Sequence, residues 1–132
     1  MKVDEIYVIL HENINKLLEA SVANVAFTPP ETVYLSLHST YSNATTAGTE
    51  LSGNGYARQE LSFSTATDGQ IVATGNVSFT ANGGTWDTAI SSGIYDDVSA
   101  GNMLFFSKMP QKTVEDGSTI EILAENIKLR IL

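Results

Sequence analysis

Apolar and polar positions alternate with a period of two along most of this chain, and the period of 3.6 occurs only near the N-terminus. Thr32 to Ser39 sets Val33, Leu35 and Leu37 on one face and Tyr34, Ser36 and His38 on the other, the signature of a strand. After the turn Gly53-Asn54-Gly55, Leu61 and Phe63 fall on one face while Arg58, Glu60 and Ser62 fall on the opposite one. Gln70 to Phe79 aligns Ile71, Ala73, Val77 and Phe79, and Trp86 to Tyr95 aligns Ile90 with Ile94, opposite Ala89 and Tyr95. Asn102 to Met109 contains the dense run Met103-Leu104-Phe105-Phe106, as expected of a strand covered on both faces. Thr119 to Leu132 changes parity between Ile120/Ile122 and Ile127/Leu129/Ile131, which predicts a bulge or bend at Ala124-Glu125-Asn126.

From Val3 to Leu18 the residues Val3, Tyr7, Leu10, Ile14, Leu17 and Leu18 recur at three and four, which predicts one helix. Ile6, Val8 and Ile9 widen its apolar stripe, and Glu5, Glu12, Asn13, Lys16 and Glu19 line the other side. Such a helix either caps the open end of the sheets or docks on a neighbouring subunit. Thr28-Pro29-Pro30 then excludes helix and leads into the first long strand. Tyr41 to Asn54, rich in Ser, Thr, Asn, Gly and Ala, reads as a surface loop longer than a simple connection needs. Thr67-Asp68-Gly69, Asn82-Gly83-Gly84, Asp96 to Gly101 and Glu115-Asp116-Gly117 supply turn chemistry. Together these elements predict a mainly β fold, an antiparallel β-sandwich or jelly roll with one N-terminal α-helix. The expected organisation is a single domain over 1–132, with a helix and lead-in at 1–25 and the sandwich at 32–132.

The chain has 132 residues, a length that suits one buried core, with 42% hydrophobic and 17% charged positions. It contains no cysteine, so disulfides, thiolate metal sites and thiol nucleophiles are excluded. The formal net charge of −8 argues against nucleic acid as a partner, which calls for a basic face. No apolar stretch approaches the roughly 18 residues of a membrane span, and Asp4 and Glu5 stand where a signal peptide would be basic.

No active site assembles from these residues. His11 and His38 lie in different elements and are expected at the surface or rim. Asp96-Asp97 lacks the repeated oxygen-ligand spacing of a Ca²⁺ loop. The glycine pairs at Gly53/Gly55 and Gly83-Gly84 do not lie between a strand and a helix, so they read as turns rather than phosphate cradles. There is no Gly-x-Ser-x-Gly elbow. The Asn43-Ala44-Thr45 and Asn76-Val77-Ser78 triplets match the glycosylation pattern by chance. Trp86 is expected in the core or its rim, and Arg58, off the outer face, pairs with Glu60 on a neighbouring strand or with another chain. No catalytic residue, cofactor or metal is expected.

Several segments resemble a family of small bacteriophage structural proteins of the decoration, minor capsid or tail-fibre-like kind. The resemblance runs through Ala26-Phe27-Thr28-Pro29-Pro30-Glu31-Thr32-Val33-Tyr34-Leu35-Ser36-Leu37 and then through Glu50 to Gln59 with its GYARQ signature. It continues through Gly93-Ile94-Tyr95-Asp96 and Gly101 to Phe106, similar to a GIYDA…GGNLLF segment, and through Pro110 to Val114. Asp97 departs from the small residue usual there, and the loop after Tyr41 has its own sequence.

The resemblance implies a non-enzymatic virion protein assembled in the host cytoplasm. The leading expectation is a capsid decoration or cement protein bound to the major capsid protein or other virion subunits, with a homotrimer as its first expected state. A tail or tail-fibre adaptor or host-contact module is the alternative, and a carbohydrate-binding module or small hydrolase is a weaker third reading. Val3, Ile6, Tyr7, Leu10, Tyr41 and Arg58 are the expected partner contacts.

Overall fold

A computed structural model describes residues 8–9 and 11–130 of the chain. The elements run in the order β1 (Val8–Ile9), α1 (His11–Val22), β2 (Val33–His38), β3 (Gln59–Leu61), β4 (Gln70–Val72) and β5 (Val77–Thr80). They continue with β6 (Ala89–Tyr95), β7 (Met103–Lys112), β8 (Thr119–Ile122), a 3-10 turn at Ala124–Asn126 and β9 (Lys128–Arg130). Five strands in the order β1-β7-β6-β2-β3 form one antiparallel sheet. Two antiparallel ribbons, β4-β9 and β5-β8, stand against it.

The core lies between these layers. Leu35 and Leu37 of β2, Ile94 of β6 and Met109 of β7 meet Val77, Phe79, Ile120, Ile122, Ile127 and Leu129 from the ribbons. Trp86 is 3% exposed and belongs to this core. Its indole N–H donates to the Asn54 carbonyl at 2.8 Å, so the ring is buried without an orphan donor. Tyr56 packs edge-on to Trp86 and stacks on Phe79, with ring centroids 5.4 and 6.2 Å apart.

The segment from Gln59 to Ser64 passes from one layer to the other. Gln59–Leu61 pairs with β2, and then Phe63 bridges to Ala73, with Ser64 N–H donating to the Val72 carbonyl and Thr74 N–H to the Ser62 carbonyl. One short stretch therefore ties the five-stranded sheet to the β4-β9 ribbon.

The predicted helix is corrected at both ends. Val8–Ile9 is a strand paired with Phe106 and Phe105, because the β-branched and aromatic run before His11 fits the edge of β7 better than a helix. The helix begins at His11 and reaches Val22, past the expected end at Leu18, since Glu19-Ala20-Ser21 favours continuation. It stops at Asn24, which takes a left-handed φ of 57° while the Glu19 carbonyl accepts from Ala23 and Val25 N–H. Val3, Ile6, Tyr7 and Leu10 lie outside the described residues.

The strand between Gln70 and Phe79 is broken into β4 and β5, yet Ile71, Ala73, Val77 and Phe79 all reach the core side. In β6 a register irregularity between Ala89 and Ser91 breaks the expected alternation: Ala89 joins Ile94 in the core and Ile90 is left half-buried. The 3-10 turn at Ala124–Asn126 falls where the parity change required a bend, and Ile120, Ile122, Ile127 and Leu129 are all buried on either side of it.

Candidate functional site

The outer face of the five-stranded sheet carries polar residues that are nevertheless buried: Ser36, His38 and Ser91 are each at most 1% exposed. The loop 39–49 provides part of their cover, and the bonds between them are polar. Ser91 Oγ donates to the Thr40 carbonyl at 2.8 Å, Ser39 N–H donates to the Thr49 carbonyl, and His38 Nδ1 lies 2.9 Å from the Gly48 carbonyl. Within the loop the Asn43 carboxamide oxygen accepts from Thr45 N–H, Thr45 Oγ1 and Thr46 N–H, an Asx turn that fixes its own backbone.

His38 is fully buried, which corrects the expectation of a surface or rim residue. Its parity was legible, but the face opposite Leu35 and Leu37 is roofed by the loop rather than open to water. Because a carbonyl can only accept, Nδ1 carries the proton, and Nε2 faces Ser36 Oγ at 2.9 Å. Ser36 Oγ also lies 3.0 Å from the Gly93 carbonyl, so one hydroxyl proton faces two acceptors while the ring is neutral. Burial lowers the His38 pKa below its ordinary value, with Arg58 acting in the same sense and the Gly48 carbonyl and Glu50 opposing.

Beside it stands an ion pair. Arg58 Nε and Nη2 hold Glu50 Oε1 and Oε2 in a bidentate fork at 2.9 and 2.8 Å. Arg58 Nη1 donates to the carbonyls of Asp97 and Ala100 at 2.8 and 2.7 Å. The Tyr56 hydroxyl donates to Glu50 Oε1 and accepts from Leu37 N–H. Burial pushes the Glu50 carboxyl up, but the hydrogen bonds from Arg58 and Tyr56 outweigh it and hold the group below its usual range. For Arg58 burial is the largest single influence and opposes the charge, but the hydrogen bond to Glu50 and the attraction of Glu50, Tyr95 and Tyr56 together outweigh it and keep the guanidinium charged. The expected partner of Arg58, Glu60, is exposed instead: Arg58 precedes β3, and the strand's alternation does not extend to it.

Arg58 also lies over the Tyr95 ring, 3.6 Å from its centroid, and His38 stacks on the same ring at 5.9 Å. Three loops (39–49, 50–58 and 96–102) thus meet at one charged and aromatic cluster. The turn 96–102 is closed by Asp96, whose carboxylate accepts from Asn102 N–H at 2.7 Å. Left-handed Ala100 and Gly101 complete it. A Cβ at Gly101 would stand 2.5 Å from the Asp96 carboxylate, so this position needs glycine on two grounds. No group of three or more metal-ligating side chains is present among the described residues.

Tyr41, one of the expected contacts, is 57% exposed on the roof loop, with Lys108 Nζ 5.0 Å from its ring. Arg58, the other expected contact within the described residues, is the buried anchor just described. Glu50, Tyr56, Tyr95 and His38 were not singled out together by sequence reasoning. One signal pointed to the pair: Glu50 is the only charged residue between His38 and Arg58.

A second surface lies on the helix and the residues just past its end. Leu18, Val22 and Val25 are 56%, 86% and 48% exposed. Asn13 and Leu17, on another side of α1, line an apolar groove of about 540 Å³ together with Phe27, Pro30, Ile71 and Leu104.

A family model described as "Podophage GP4 fiber I protein gp80" matches residues 11–130, from the start of α1 to the end of β9. The chain belongs to this family. The match takes in the roof loop, the ion pair and the exposed helix together. Membership in this fibre family identifies a phage structural protein, implies a place in the virion in association with other virion components, and accords with a structural rather than an enzymatic role. It supports the fibre branch of the expectations and gives the capsid-decoration branch no specific support. No curated protein matches the sequence. No helix among the described residues is long and apolar enough to cross a membrane.

Proposed function

We propose that this chain is a subunit of a phage tail fibre, attached to neighbouring virion subunits through its helix-bearing side. The end of the sheet where the three loops meet is then turned outward as an adaptor or host-contact surface. The observation that carries the reading is the fibre-family match across residues 11–130. Two features support the division of labour. The exposed Leu18, Val22 and Val25 offer apolar area to a protein neighbour, whereas the loop end presents mostly small polar residues on a locked framework. Repetition of one weak contact by symmetry gives a fibre subunit its hold, and a homotrimer is the first expected state.

The test is the copy number of the chain per purified particle, measured by quantitative mass spectrometry against the major capsid protein, with immunogold labelling of the same particles. A handful of copies with gold on fibres supports this reading. Hundreds of copies with gold over the head would assign the chain to capsid decoration, and absence from particles would overturn a virion role.

A further inference from the structure

The Tyr95 hydroxyl has no hydrogen-bond partner among the described residues, although the residue is only 6% exposed. Tyr95 is one of the residues that line an open cleft beside it. The cleft, of about 320 Å³, is formed where the first turn of α1 meets the loops 39–49 and 96–102. Glu12, Thr45, Ala47, Tyr95, Asn102 and Met103 line it, with Arg58 at its floor.

The chemistry of that lining narrows the ligand. Arg58 is neutralised by the Glu50 fork, and both Nη1 bonds go to backbone carbonyls, so it offers no free charge to an anion. Glu12 is paired with Lys16 at 3.1 Å, and the chain's net charge of −8 repels anions at longer range. What remains is neutral hydrogen-bonding capacity beside the small apolar surfaces of Ala47 and Met103: the Tyr95 hydroxyl, the acceptor lone pairs of Thr45 Oγ1, whose proton goes to Asn43, and the carbonyl oxygen of the Asn102 amide, whose NH2 reaches Asp96. The volume lies at the lower end of the range for small-molecule pockets, which suits a single sugar ring rather than a larger ligand.

We propose that this cleft is a binding site for one unit of a neutral saccharide, with the Tyr95 hydroxyl as its central hydrogen-bonding group. The proposal rests on the outward placement of the loop end argued above. The cation and imidazole against the Tyr95 ring hold its side chain in place before any ligand arrives, so little ordering remains to oppose binding.

The test is saturation-transfer NMR on the full chain with the neutral methyl glycosides of glucose, galactose, mannose and N-acetylglucosamine at millimolar concentration. The expected result is transfer to at least one glycoside, several-fold weaker in Tyr95→Phe and lost in Ala47→Phe. Tyr95→Phe keeps the ring between its neighbours, and Ala47 is exposed, so both variants retain the wild-type melting temperature. Transfer to none of the four, or transfer that survives both substitutions, overturns the site. Loss in Ala47→Phe alone removes the hydroxyl from recognition and overturns the proposal as stated. A negative result leaves the copy-number and immunogold test of the fibre reading untouched, and the two can fail separately.

Discussion

Arg58 and Glu50 form a two-pronged ion pair whose side chains are 6% and 24% exposed, and the same guanidinium bonds two carbonyls of the 96–102 turn. The pair is therefore a joint between the loops 50–58 and 96–102 rather than a surface decoration. Breaking one side of a buried pair leaves an uncompensated charge, and that penalty exceeds the net worth of the intact pair. Arg58→Ala is expected to lower stability by about 3 kcal/mol, measured by urea denaturation. Arg58→Lys should recover little, because an ammonium cannot make the fork and the two carbonyl bonds at once. An unchanged midpoint in Arg58→Ala would show that the joint contributes nothing to the fold.

Acid should loosen the same region in two stages. The His38 pKa is lowered in the fold, so its neutral form is the favoured one there. Its contribution is complete above the ordinary value of 6.5 and declines as the pH falls below it. Glu50 is also held below its ordinary 4.5, so its contribution is lost only as the pH falls further, towards its lowered value. The melting temperature should fall from near neutrality downward, with the first stage absent in a His38→Gln variant. A curve that is flat from pH 7 to the carboxylate range would contradict the role given to His38.

Gly93 is the close-approach point of the roof. A Cβ there would stand 2.7 Å from Met103 Sδ and 3.1 Å from Ser36 Oγ. Gly93→Ala is expected to cost about 1–3 kcal/mol as overpacking, and the Gly93→Ala/Met103→Ala double variant should recover part of it. If the double variant is no better than the sum of the singles, the strain lies elsewhere.

The exposed helix residues carry a prediction about assembly. The double substitution Leu18→Asp/Val22→Asp should leave the melting temperature of the isolated chain within about 0.5 kcal/mol equivalent of wild type, as for exposed positions, while reducing its incorporation into particles. Thermal denaturation of the purified chain and quantitative mass spectrometry on the particles check the two halves. Incorporation unchanged from wild type would move the attachment surface away from α1.

The layers of this protein are legible in its sequence because most strands follow a strict alternation, and the core residues Leu35, Leu37, Val77, Phe79, Ile120 and Ile122 fall where that alternation places them. The parity change before Ile127 announced the 3-10 turn for the same reason. Periodicity failed where another influence took over. Val8 and Ile9 fit a helical stripe by spacing but pair with the edge of β7, a long-range contact invisible to local pattern. The polar cluster was the least legible part. An outward-facing parity says which side of a sheet a residue occupies, not whether a loop will cover it, and so His38 and Arg58 were expected in contact with solvent. The isolated charge of Glu50 in a neutral stretch was the available clue.

The loop 39–49 is fastened by carbonyl groups at Thr40, Gly48 and Thr49, by the Thr40 and Ser42 hydroxyls and by its own Asx turn, with the exposed side chains of Thr46 and Ala47 left out of the fastening. Backbone carbonyls are the same whatever side chain they accompany. The loop can accordingly exchange the side chains at Thr46 and Ala47 without re-engineering the sheet beneath. With the loop end as the host-contact surface proposed above, a host that alters its surface is followed by substitutions at these two positions, at little cost to the scaffold that carries them.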